Sequence, residues 1–431
     1  MRGRRWAGVF GGLLCGVALG AEPSPAVTVI RAGTLIDGVS GSAKTNQVVV
    51  IRGNRVESVG GGAPPAGAKV IDLSGATVLP GMIDSHTHVF LQHEDAGQGG
   101  YDVQLLKYPL AYRAARATVA ARRALEQGFT TIRDVETEGA GYGDVGIKRA
   151  IEEGHIPGPR MFVSTRAIST TGGYDLDGYA PEVVVPKGAQ IVDGPVEARK
   201  AAREQLENGA DWIKVYMTHR SWIDSAGNLQ SQPTLTVEEL KAIVDEAHGW
   251  GKKVACHAYT NPGMKRALDG GCDSIEHGLE LDDAAVAQMV KQGTWLCPTL
   301  AVYYDFWPPE GTPAGKIYRK RTEVHGPSFR RAVKAGVKIA FGTDVGGFSW
   351  KEPMAKEFPY MVQLGMTPMQ AIQSATVSAS DLIGRNNDAG SLEPGRWADL
   401  IAVKGDPLGD VRVLESVAFV MKEGKVYKDV R

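Results

Sequence analysis

Four histidines, one lysine and one aspartate stand where apolar runs end. His86 and His88 close the run Leu79-Pro80-Gly81-Met82-Ile83-Asp84-Ser85-His86-Thr87-His88. The apolar part, Thr77 to Ile83, reads as a buried strand. Side chains alternate faces along a strand, so the two imidazoles point the same way, roughly 6–7 Å apart. Paired imidazoles at a strand end suit a divalent transition metal. Lys214 lies inside the apolar run Trp212–Tyr216, His257 ends Lys253–His257, His277 ends Ser274–His277, and Asp344 follows Lys338–Phe341. Six such groups brought to one place are metal ligands with a carboxylate able to carry a proton.

The elements that must position them alternate in kind. Further strand candidates are Phe129–Val135, Arg160–Ala167 and Trp295–Thr299, and helical patterns cover Ala111–Gln127, Val196–Asn208, Val237–Trp250, Asp282–Lys291 and Ser328–Ala335. Gly128, Gly209, Gly251, Gly293 and Gly336 follow these helices as C-caps should, and Thr236-x-x-Glu239 is a capping box. With Thr77–Ile83 the count is eight β-then-α units. Eight units predict an α/β chain closed as a (β/α)8 TIM barrel, with its site at the C-terminal strand ends. Residues 27–77 and the last stretch read instead as short strands with turns at Asp37-Gly38, Gly60-Gly61-Gly62 and Glu423-Gly424. The expected organisation is a barrel over 79–385 and a small β-sandwich domain formed by both termini, 22–78 and 386–431.

The chain has 431 residues, 43% hydrophobic and 23% charged, which is ordinary for a large folded protein. A formal net charge of -1 leaves no basic field for nucleic acid. Arg2, Arg4 and Arg5 before the apolar stretch Trp6–Leu19 predict a signal peptide over residues 1–21, hence an exported, periplasmic or secreted protein. No later segment is long and apolar enough to span a membrane. Cys256, Cys272 and Cys297 remain after the leader. They predict no disulfide framework and read as small core residues.

The set formed by Leu79-Pro80-Gly81-Met82-Ile83-Asp84, Gly128-Phe129-Thr130-Thr131-Ile132-Arg133-Asp134, Ile275-Glu276-His277-Gly278 and Gly395-Arg396-Trp397-Ala398-Asp399-Leu400 resembles the amidohydrolase superfamily over nearly all of the mature chain. It is most similar to the branch of Xaa-Pro dipeptidases, L-Xaa-L-Arg/Lys carboxypeptidases and ochratoxin-hydrolysing amidases. The resemblance implies two divalent ions, usually Zn²⁺. His86, His88 and Asp344 would hold one, His257 and His277 the other, and Lys214, carboxylated to N6-carboxylysine, would bridge them. Two ions lower the pKa of a bridging water, and Asp344 can pass its proton to the leaving nitrogen. The implied reaction is hydrolysis of amide bonds in dipeptides or N-acyl amino acids. A homo-oligomer, often an octamer, is implied as well.

Asp84 shares the phase of His86 and His88 and reads as a supporting group. Candidates to hold a substrate carboxylate are Tyr174, His219, Arg220 and Tyr259, since such a group needs a cationic or hydroxyl partner. The branch often has His where Tyr174 stands. Its dipeptidases carry a tyrosine near Leu235, which cannot serve. Tyr303, Tyr304, Phe306 and Trp307 read as an apolar wall. Two rivals are a cyclic-amide hydrolase resembling imidazolonepropionase and a non-catalytic exported metal- or peptide-binding protein. Ala258-Tyr259-Thr260 after His257 lacks the glutamate that the superfamily's deaminases need.

Overall fold

The computed structural model describes residues 27–92, 100–174, 176, 178–306, 308–309 and 311–431. The expected leader and Trp307 lie outside the described residues. The chain is α/β with a TIM-barrel-like middle. Among the described residues no helix is long and apolar enough to cross a membrane.

Both ends of the chain build one seven-stranded sheet. Its order is Lys425–Asp429, Val417–Lys422, Leu400–Val403, Lys69–Pro80, Val27–Leu35, Lys44–Arg52 and Arg55–Gly60. The ends meet where Leu400 pairs with Pro80 and Val403 with Thr77. Alternation puts Ile30, Val49, Leu73, Leu400 and Phe419 into one apolar core. Glu423 and Gly424 form the predicted hairpin turn, both at positive φ, 51° and 75°. Such a turn follows the right-handed twist of the strands it joins.

The run Thr77–Ile83 is not one strand. Lys69–Pro80 belongs to the terminal sheet and Met82–Thr87 starts the middle. The break falls at Gly81, where a Cβ would sit 2.2 Å from Thr130 Oγ1. Met82–Thr87, Phe129–Asp134 and Arg160–Val163 form one parallel set. Trp212–Tyr216, Lys253–Ala258, Ser274–His277 and Trp295–Cys297 form a second, extended by Ile168–Ser169. The candidate Arg160–Ala167 therefore stops at Val163, shortly before Thr165 takes a φ of 59°. Lys338–Phe341 is no regular strand; the stretch makes an isolated bridge between Ile339 and Leu296, and Val345 bridges Thr87. Backbone bonds still tie it to both sets, from Leu296 N to Lys338 O at 2.8 Å and from Ser85 N to Phe341 O at 2.9 Å.

The helices pack outside these strands. Val237–Gly249 opens on the predicted capping box, with Thr236 and Glu239 bonding reciprocally. Gly293 and Gly336 end their helices in the left-handed conformation, φ 74° and 77°. The last of these helices is much longer than its sequence pattern suggested. Pro313–Ala335 runs 23 residues with Pro327 inside it. Thr312 caps it and Pro313 sits in its first turn, where a missing N–H costs nothing.

Cys256 and Cys272 are joined in a disulfide, which corrects the reading of all three cysteines as unpaired core residues. The helix Gly263–Gly270 returns the chain so that the residue before Asp273 meets the outward face of the neighbouring strand. Cys297 stays free and buried.

Candidate active site

Strand alternation decides which side chains meet. On Trp212–Tyr216, Ile213 and Val215 join the helix-packed core, so Lys214 faces the other way. On Lys253–Ala258, Val254, Cys256 and Ala258 face the helices, which turns His257 inward. Tyr216 and His257 are direct partners across these strands, as are His257 and Glu276. His277 breaks the rule. Its neighbour two residues back, Ile275, faces the helices, yet His277 reaches the inner side because its φ is 73°. Asp344 has the same left-handed backbone, φ 61°. Glu138 and Thr299, which flank these groups, share it with φ 51° each. Non-glycine residues held there are strained, and such strain gathers at functional sites.

All six residues line one cavity of about 360 Å³. Tyr174, His219, Arg220 and Tyr259 line it too, as do Glu138, Tyr303, Tyr318 and Arg321. The His86 ring lies 5.2 Å from His88 and 4.9 Å from His277, and His257 lies 4.5 Å from His277. Asp344 Oδ1 is 3.2 Å from His88 Nε2 and 3.8 Å from His86 Nε2. Lys214 is 1% exposed.

Buried partners fix His86 and His277 by one ring nitrogen each. Glu276 Oε2 lies 2.7 Å from His86 Nδ1, and Arg133 with Ser274 holds Glu276. Thr299 Oγ1 lies 2.7 Å from His277 Nδ1, while His325 Nε2 donates to the His277 carbonyl at 3.0 Å. His86 Nε2 and His257 Nε2 are buried without a hydrogen-bond partner. Orphan imidazole nitrogens facing a shared cavity, with the opposite nitrogen of His86 anchored by Glu276, fit metal ligation. His86, His88 and Asp344 bring donor atoms close enough to share one ion. The donor set therefore suits a divalent cation.

Electrostatics agree with that set for three of the four histidines. Burial, reinforced by neighbouring cationic groups, pushes His86, His257 and His277 well below the ordinary histidine pKa, so each presents a neutral ring. Burial also lowers Lys214, against the pull of Glu276, Glu136 and Asp344. Burial opposes a charge on His88 as well, but its bond to Asp344 and that carboxylate's charge raise it to about 9. Asp84 accepts from His86 N at 2.9 Å and from Thr343 N and Oγ1. It ties the strand carrying His86 to the segment carrying Asp344, a supporting task.

The outer candidates differ in what they have left to offer. The Tyr174 hydroxyl donates to Glu138 Oε2 at 2.6 Å, so its proton is already committed. His219 and Arg220 sit on the ribbon Thr218–Ile223, with Arg220 exposed. The Tyr259 hydroxyl accepts from Tyr303 at 2.9 Å and keeps its own proton to donate. Leu235 is fully buried in the core. Of the expected aromatic wall, Tyr303 reaches the cavity, but Tyr304 packs on Tyr360 and Phe306 stacks on Phe348. Glu136, Glu138 and Arg321 escaped the sequence reading. The stretch Asp134-Val135-Glu136-Thr137-Glu138 after a strand was the available signal for the first two.

An amidohydrolase family profile matches residues 77–427. Ochratoxinase of Aspergillus niger is 32% identical over 435 aligned positions, covering 93% of this chain and 87% of its own. Its crystal structure covers 94% of this chain and 96% of its own, with a TM-score of 0.79 and 28% identity. The crystal structure of a Xaa-Pro dipeptidase with methionine bound in its active site is 36% identical. It covers 94% of this chain and 100% of its own, with a TM-score of 0.84. Imidazolonepropionase of Streptomyces coelicolor is 27% identical over 372 positions, covering 82% of this chain and 84% of its own.

Proposed function

This chain belongs to the amidohydrolase family and is a hydrolase acting on carbon–nitrogen bonds; from that premise we propose that it cleaves the amide bond of dipeptides or N-acyl amino acids, ochratoxin A among them, in a site that holds two divalent cations. One observation carries the reading. Six polar side chains from five separate stretches of the chain line a single cavity, and two of their imidazole nitrogens are buried without a partner.

His86, His88 and Asp344 would hold one cation, His257 and His277 the other, with Zn²⁺ the expected metal. Lys214 would join them as a carbamate. Its lowered pKa favours the neutral amine, whose nitrogen adds to carbon dioxide with loss of one proton. When bound, the cations supply Lewis acidity and lower the pKa of water toward neutrality. Asp344 carries the proton, taking it from the attacking water and delivering it to the leaving nitrogen. Glu276 and Thr299 keep the His86 and His277 rings turned.

The same reading closes the middle strands into a full (β/α)8 ring through residues 338–345 and curls the terminal sheet into a sandwich. The bonds from that segment to Leu296 and Ser85, and the core shared by strands of both termini, support it. It also includes domain limits of 22–78 with 386–431 and 79–385, export after removal of residues 1–21, and assembly as a homo-oligomer, up to an octamer. Val184, 98% exposed, and Val196, 84% exposed, are apolar surface that assembly would cover.

The test is a screen of the zinc-loaded protein against N-acyl amino acids, dipeptides with varied C-terminal residues, ochratoxin A and 4-imidazolone-5-propionate. Turnover of free-acid amides is expected. Turnover of the cyclic substrate alone would transfer the assignment to the cyclic-amide rival. Tight zinc binding with no turnover would favour the non-catalytic one.

A further inference from the structure

We propose that Arg321 receives the substrate's α-carboxylate, and so makes the site selective for amides whose leaving amine is a free amino acid. The inference rests on the hydrolytic reading above and names which end of the substrate the cavity reads.

Arg321 belongs to the long helix Pro313–Ala335 and lines the same cavity as His257, His277 and Asp344. Its Nε is buried without a hydrogen-bond partner. Its other contacts are neutral. One terminal nitrogen donates to Ser221 Oγ at 3.1 Å, and the guanidinium lies 4.8 Å from the Tyr259 ring centre and 5.0 Å from that of Tyr318. Among the described residues no carboxylate lies within ion-pair distance of it. Aromatic faces hold the guanidinium plane in place. They do not neutralise it; Tyr318 takes one hydrogen bond from the guanidinium, and Nε is still left over. A half-buried cation with one buried, unused donor is costly to keep unless something else binds there. A carboxylate answers both deficits, because it matches the guanidinium fork with two parallel charge-assisted bonds.

Position supports the same ligand. The Tyr259 ring contacts both sides, with its centre 4.8 Å from the Arg321 guanidinium and 4.3 Å from the His257 ring centre. One tyrosine ring thus touches both the charge and the histidines around the place where an amide would be cut. Guanidinium and histidines line one cavity, so the carboxylate of the residue just past the scissile bond is the substrate anion this guanidinium can receive. Tyr259, with its hydroxyl proton free to donate, supplies a second donor beside it. Arg220, the cavity's second guanidinium, is exposed to water and less able to select. A substrate whose C-terminal carboxylate is amidated, or followed by more residues, would leave the buried Arg321 Nε unpaired.

The test compares N-benzoyl-L-phenylalanine with its C-terminal carboxamide on full-length, zinc-loaded wild type, Arg321→Met and Arg321→Lys. Wild type is expected to favour the free acid. Arg321→Met should raise KM for the acid about 10- to 100-fold, with kcat and carboxamide turnover changed little. Arg321→Lys should recover part of the loss. Calorimetric binding of L-phenylalanine and L-phenylalaninamide gives a second readout that needs no turnover. The amino acid should bind wild type more tightly than its amide, and Arg321→Met should erase the difference. Equal losses on acid and carboxamide, or an acid preference that survives in Arg321→Met, overturns the proposal. Binding of neither probe to wild type overturns it too. Absence of turnover combined with Arg321-dependent binding of the amino acid would sink the hydrolytic reading and leave this one standing. Should Arg321→Met not fold, Arg321→Lys decides alone, because the charge stays while the fork is lost.

Discussion

At the scale of single residues, the account turns on groups held where their chemistry is forced. Asp344 combines a left-handed backbone with a carboxylate 3.2 Å from His88 Nε2. If it carries the proton, Asp344→Asn should lower kcat by about 10²–10⁴ while KM moves only a few-fold. Steady-state kinetics at saturating zinc checks this; a pure KM effect would contradict it. His325 shows the reverse arrangement. Burial brings its pKa down to about 3, and its Nδ1 has no partner. The unfolded chain protonates this ring near its ordinary pKa, whereas the folded chain resists until about pH 3. Its contribution to stability is therefore complete above about pH 6.5 and is lost as pH falls toward 3. Denaturant melts across pH 7 to 4 should show that loss, at a slope approaching about 1.4 kcal/mol per pH unit. His325→Gln keeps an N–H donor and has nothing to protonate, so its curve should be flatter. The cavity's histidines, Lys214 and Asp344 were legible in sequence because polar residues closing apolar strands have little else to do. Arg321 was not, because Arg319-Lys320-Arg321 looks like a solvated helix face until the helix is placed over the cavity.

At the scale of elements, close approach sets what each strand end can hold. The segment bearing Asp344 passes the strand bearing His86 at Gly342, where a Cβ would lie 2.2 Å from Cys297 Sγ and 2.9 Å from His86 Cβ. Gly342→Ala should push the two apart, lowering the melting temperature by several degrees and weakening cation affinity together. Gly249→Ala, at a helix position with no atom near the added methyl, should cost nothing. Calorimetry and metal titration of both variants check the contrast; equal behaviour would show that the approach at Gly342 does not position His86. The alternation of strand and helix was readable because several helices are followed by glycine and one opens on a capping box. The split at Gly81 and the loss of a regular strand at Lys338–Phe341 were not, because composition does not reveal which partner an apolar run pairs with. Pro327 similarly reads as a helix boundary, although the helix runs through it.

At the scale of the whole molecule, the two chain ends share one sheet and a disulfide fastens the middle. The Cys256–Cys272 link sits directly before His257 in sequence and encloses a loop of 16-residue separation. Its removal in a Cys256→Ser, Cys272→Ser double variant should cost about 3 kcal/mol in oxidised solution. Equal stability of wild type and variant there would show that the link adds nothing. Sixteen residues of separation across a strand and a helix gave the sequence no sign of this pairing, since only the return of the helix brings the two sulfurs together. The family, by contrast, was legible from motifs spread along nearly the full length, and the profile over 77–427 agrees. The central claim concerns how those distant motifs cooperate. Its most direct measurement is the number of zinc ions bound per chain in wild type and in Lys214→Ala, read by mass spectrometry of the metal content alongside amide turnover. The account predicts two ions in wild type, with ions and turnover lost together in the variant. A wild type that retains no zinc after loading, or a Lys214→Ala that keeps both ions and full turnover, would contradict it.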